Sequence, residues 1–133
     1  MTKNREFLLF FSLALAAVGS ASLADQAKGW DVYFEEGNGN THFFDSERVE
    51  TRSDTHTVWT RIRYKTSVMG ASSYEGLVEI DCAQRTERTL QRTFFSDRHW
   101  EEPAMSTDMT AKPTRPIAEG SAAAHLSGVL CEK

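Results

Sequence analysis

Apolar and polar residues alternate with a period of two through most of the stretch from Trp30 to Phe95, which is the mark of half-buried β-strands. Trp30, Val32 and Phe34 alternate with Asp31, Tyr33 and Glu35 in a first predicted strand. Gly37-Asn38-Gly39-Asn40 follows, and because Gly and Asn tolerate the positive φ of a tight hairpin, residues 41–45 are expected to pair back on it. Residues 46–48 read as a connection and residues 52–54 as a second turn. The third strand has the clearest pattern, with Val58, Thr60, Ile62 and Tyr64 on one face and Trp59, Arg61, Arg63 and Lys65 on the other. One face is expected in the core and the other in water. After a loop at residues 67–73, Tyr74, Gly76, Val78, Ile80 and Cys82 alternate with Glu75, Leu77, Glu79 and Asp81, which puts Cys82 on the apolar face.

A long polar strand is predicted over residues 84–96, with Arg85, Arg88 and Arg92 interleaved with threonines. Residues 97–115 show no period and contain Pro103 and Pro113, so they read as an irregular excursion. Order returns at Ser121, a good N-cap, followed by a helix to Cys131 whose Ala123, Leu126 and Leu130 share one face. The pattern is therefore that of an α+β domain, a meander of antiparallel strands with a C-terminal helix across it.

The start of the chain changes the picture of where this domain works. Lys3 and Arg5 precede an apolar run from Phe7 to Val18, much shorter than the ~20 residues needed to span a bilayer, and Ser22-Leu23-Ala24 offers a cleavage site. Residues 1–24 are thus expected to be a signal peptide and 25–133 the mature domain, exported to the periplasm or cell surface with no transmembrane segment. Two of the 15 basic and one of the 19 acidic residues lie in residues 1–24, which leaves 13 and 18 and a formal charge of −5. Such mild acidity argues against general nucleic-acid binding. An exported chain with two cysteines, Cys82 and Cys131, is most simply disulfide-bonded, the alternative being two buried thiols.

Little in the chain suggests catalysis. His42, His56, His99 and His125 are scattered without metal-ligand spacing, so neither a metal nor a cofactor is expected. Ser121 and His125 lack the acid and the strand-to-helix setting of a nucleophile elbow and read as an N-cap and a helix-surface histidine. Glu79 and Asp81 are expected to pair with arginines of a neighbouring strand. The surface that carries chemistry is the stripe Trp59, Arg61, Arg63 and Lys65, with Arg85, Arg88 and Arg92 beside it. Tryptophan and arginine dominate protein–protein binding energies, and a basic strip on an acidic protein suits sulfated glycans or acidic segments. The alternative is solvated ion pairing with Glu75, Glu79, Asp81 and Glu87, each pair worth ~0–1 kcal/mol.

Several of these residues also carry a resemblance. Trp30-x-Val32, Phe44-Asp45 ahead of Val49, Val58-Trp59, Glu79-Ile80-Asp81-Cys82 with Arg85 after it, and Gly120-Ser121 leading a helix to Cys131 resemble the bacterial surface-adhesin protein E family over nearly the whole mature chain. The resemblance implies a curved antiparallel sheet of five to six strands packed against the helix, with a Cys82–Cys131 disulfide joining them. It also implies a non-enzymatic protein of a Gram-negative bacterium that binds host matrix or serum proteins such as vitronectin, laminin and plasminogen. A periplasmic structural or accessory protein of the envelope, without a host ligand, is the other reading. An open edge strand further allows a homodimer.

Overall fold

The structure, a computed structural model, describes residues 29–101 and 103–132. The expected signal peptide lies outside them. Among the described residues seven strands and one helix follow in order: β1 Trp30–Glu35, β2 Thr41–Arg52, β3 Thr55–Val68, β4 Ala71–Asp81, β5 Thr86–Phe95, β6 Ala104–Asp108, β7 Arg115–Pro116 and α1 Ala122–Cys131. All pairs are antiparallel, the first six strands lie in sequence order, and β7 pairs with β5. Helix α1 packs on one face, where Leu126 and Leu130 close over Phe44, Val58 and Ile80. Ser121 caps it by accepting the Ala124 N–H at 3.1 Å. Cys82 and Cys131 are joined, with Cα atoms 5.7 Å apart and a sequence separation of 49. The last residue of the helix is thereby fastened to the end of the central strand.

Three stretches depart from the pattern reading, each for a physical reason. Residues 46–48 do not end β2. They form an outward irregularity between Phe44 and Val49, in which Asp45 accepts the Glu47 N–H and the Arg48 Nε–H, and the strand then continues to Arg52. The loop at residues 67–73 shrinks to a two-residue turn, Met69 (φ 52°) and Gly70 (φ 86°). Two successive positive φ values make the hairpin turn that matches strand twist, but a methionine gives no sequence signal for it. Residues 97–115 are not wholly irregular. From Ala104 to Ile117 the chain follows β5, pairing through β6, through the Lys112 N–H on the Thr89 carbonyl, through β7 and through the Ile117 N–H on the Arg85 carbonyl. Proline, which cannot donate to a ladder, is confined to such edges, so Pro113 and Pro116 hid the strand while protecting its outer side from further pairing.

Register shifts also occur between Val32 and Phe34 and between Leu77 and Val78. Bulges bend strands and switch the faces of the residues beyond them. Trp30 and Val32 therefore point away from the helix, whereas Phe34 stacks on His125 of α1 with centroids 4.3 Å apart. Expecting Trp30, Val32 and Phe34 on one face was an error of a single inserted residue.

Two stability predictions follow from the helix-side face. Gly76 lies under the Tyr74 ring, and a Cβ there would sit 2.5 Å from the phenol oxygen and 2.9 Å from the ring. Gly76→Val should cost about 1–3 kcal/mol through overpacking, read as a lowered denaturant midpoint. The chain's three tyrosines, Tyr33, Tyr64 and Tyr74, are all raised above the ordinary phenol value, chiefly by burial. A folded state that favours the neutral phenol keeps that contribution below pH ~10 and loses it as pH rises beyond. Absorbance at 295 nm should show well under half of the tyrosine ionised at pH ~10, with the remainder released as the fold is lost. Half-ionisation at pH ~10 in the folded protein would contradict the burial.

Candidate binding face

The side of the sheet opposite α1 is not the plain wet surface that alternation suggests. Arg61, on β3, has its guanidinium carbon 4.1 Å from the Trp30 ring centroid and 4.8 Å from that of Trp100, while its Nε donates to Glu75 at 2.8 Å. Two residues on, Arg63 lies 5.0 Å from the Trp100 centroid and 5.5 Å from that of Phe43. The result is an alternating ladder, Trp30, Arg61, Trp100, Arg63 and Phe43, spanning β1, β2, β3 and the segment after β5. Each cation over a ring contributes about 0.5–1 kcal/mol where exposed and about 2 where desolvated. At 22% exposure the Arg61 side chain lies between those limits.

Trp100 reaches the face because the chain after β5 folds back over the sheet. The Asp97 carboxylate accepts the N–H groups of His99 and Glu101, at 2.9 and 3.2 Å, and the Asp97 carbonyl accepts from the fully buried Ser73 hydroxyl. With the turn fixed, Trp100 adopts φ 56°, an uncommon conformation for a bulky residue, and its Nε1–H donates to the Tyr74 carbonyl at 2.9 Å. Arg63 in turn donates to the Arg98 carbonyl, and Arg98 donates to the Lys65 carbonyl. Burial and then the Arg98 cation hold Arg63 below the usual guanidinium range. Arg61 and Arg88 are ion-paired with Glu75 and Glu79, whereas Arg63, Lys65 and Arg98 have no carboxylate partner among the described residues. These three cations leave one end of the ladder positive.

Of the stripe residues read from the sequence, Trp59, Arg61, Arg63 and Arg88 share this face, and Lys65 borders it beside the β1–β2 turn, against Gly39. Two are placed elsewhere. Arg85 stands in the β4–β5 turn at φ 55°. Arg92 pairs with Gly76 on the helix side, over Phe94 and 3.8 Å from Asp108, because the bulge near Leu90 reverses the alternation between Arg88 and Arg92. Trp30, Phe43, Arg98 and Trp100 were not legible as members. Their common signal is aromatic or cationic character, but only the bulge in β1 and the turn at Asp97 bring them together.

The domain is an open antiparallel sheet with a helix on one face and an aromatic–arginine ladder on the other. The chain belongs to the surface-adhesin protein E family, whose model matches residues 30–132. Solved structures of Haemophilus influenzae protein E share the fold. One is 12% identical, covers 77% of this chain and 83% of its own, and superposes with a TM-score of 0.59. Its selenomethionine form gives 0.60 at 12% identity, over 77% and 85% of the two chains. A second crystal form gives 0.57 at 13%, over 77% and 87%. No curated protein matches the chain. Among the described residues no helix is long and apolar enough to cross a membrane.

Proposed function

We propose that this adhesin-family domain is exported and binds a protein partner through the face opposite α1, with the Trp30–Arg61–Trp100–Arg63–Phe43 ladder at its centre. The observation that carries this reading is that Arg63, Lys65 and Arg98 have no carboxylate partner among the described residues, while Arg63 lies against a Trp100 ring that its Nε1–H ties to the Tyr74 carbonyl. Rigid aromatics flanked by uncompensated cations suit an acidic segment of a partner, since aromatic and arginine side chains concentrate binding energy and the charge steers the encounter. Host matrix and serum proteins such as vitronectin and laminin are the partners that family membership favours. The partner binds in a non-catalytic role.

A solid-phase assay of residues 25–133 against vitronectin, laminin and heparin at physiological salt tests the reading. Saturable binding that weakens as salt is raised is expected, because screening acts on exposed charge. Absence of binding to all three would move the partner to the bacterial envelope.

A further inference from the structure

The helix-side face is incompletely filled. Leu126 and Leu130 pack into the core from the second half of α1, but the first turn presents only Ala122 and Ala123, and beneath it a cleft of about 360 Å³ remains over Tyr33, Ile62, Tyr74 and Val78. One charged group opens on this apolar floor. Glu87 pairs in register with Ile80, a fully buried residue, so its carboxylate projects on the core side, where the side chain is only 11% exposed. Its partner is Arg115 of β7, bound at 2.6 and 2.8 Å but 74% exposed. The acid belongs to the cleft and the base to its rim.

A cross-strand pair of this kind selects its ligand by charge. A simple carboxylate taking Arg115 would strand Glu87, which is costly for a group so little exposed, while a simple amine taking Glu87 would release Arg115 to water and gain nothing at the rim. A zwitterion replaces both partners at once. Tyr33 adds a hydroxyl that, among the described residues, has no hydrogen-bond partner and stays neutral at physiological pH. His42, the other titratable group at the floor, is already engaged by Glu36. We propose that this cleft binds a free α-amino acid with an apolar side chain, its ammonium on Glu87, its carboxylate on Arg115 and its side chain on Tyr33, Tyr74, Ile62 and Val78. The volume accommodates a side chain as large as that of phenylalanine. This site lies on the opposite side of the sheet from the ladder and does not depend on the adhesin reading.

Calorimetric titration of residues 25–133 with L-phenylalanine, phenethylamine and 3-phenylpropionate tests it. Saturable binding of the amino acid is expected, with 3-phenylpropionate weaker by about tenfold or more because it leaves Glu87 unpaired, and phenethylamine weaker by about two- to fivefold. Glu87→Gln should weaken the amino acid by about tenfold, and Arg115→Gln by about two- to fivefold. Ala123→Leu, which fills the cleft from a helix position that tolerates leucine, should abolish binding with the circular dichroism unchanged. Equal binding of all three compounds, undiminished binding by Glu87→Gln, or no binding of L-phenylalanine at millimolar concentration would overturn the proposal.

Discussion

Replacing Cys82 and Cys131 together by serine should lower the unfolding free energy by about 4 kcal/mol, the chain-entropy value for a closed loop of this length. The effect is large because the rest of the ledger is thin. The apolar cluster that seals helix to sheet is Phe44, Val58, Ile80, Leu126 and Leu130, and α1 gives it only the last two. Domains of this size are stable by about 5–15 kcal/mol, so the disulfide carries a substantial share. Cys131 is also the final residue of α1, so the helix should be the first element to detach, exposing the cleft beneath it. Urea titrations of wild type and double variant, followed by far-ultraviolet circular dichroism, check this: the midpoint should fall with little change in slope. A loss below about 1 kcal/mol would mean that packing alone holds the helix down.

The largest functional effect is expected at the ladder. Arg61→Glu with Arg63→Glu should weaken partner binding by about 100-fold or more, the scale of a lost hot spot. The two positions are not equivalent. Arg61 is paired with Glu75, so a glutamate there sets two carboxylates side by side and costs stability as well as binding. Arg63 bonds only to a carbonyl and stands over two rings, so Arg63→Glu alone should keep the fold and still lose most of the affinity. Trp100→Ala should act through both arginines at once, since it removes the ring they share. Equal affinity of wild type and the Arg63→Glu variant would remove this face from consideration.

How much of this could be read in advance depended on whether local pattern and tertiary register agreed. The strand faces of β3 and β4, the Ser121 cap, the Leu126–Leu130 stripe and the Cys82–Cys131 pairing were legible because each rests on residues within one element or on the sole cysteine pair. Bulges were not legible. One inserted residue in β1 sent Trp30 and Phe34 to opposite faces, and another in β5 moved Arg92 away from Arg88. No residue type announces such an insertion, so alternation counted along the chain goes out of phase past it. Trp100 was hidden differently, in a stretch whose prolines and missing period conceal an edge strand, and its place on the ladder depends on a turn held by Asp97. The sheet could thus be drawn from sequence, whereas the aromatic–arginine ladder had to be assembled in three dimensions.

Trp30, Trp59 and Trp100 are the only tryptophans of the chain, and all three lie on the face opposite the helix. Hydroxyl-radical footprinting of these rings, read by mass spectrometry on residues 25–133 alone and bound to vitronectin or laminin, is therefore the most direct test of where this domain binds. Protection of Trp30 and Trp100 in the complex is the expected result. Bound protein whose tryptophans oxidise as fast as in the free domain would place the interface elsewhere and contradict the assignment.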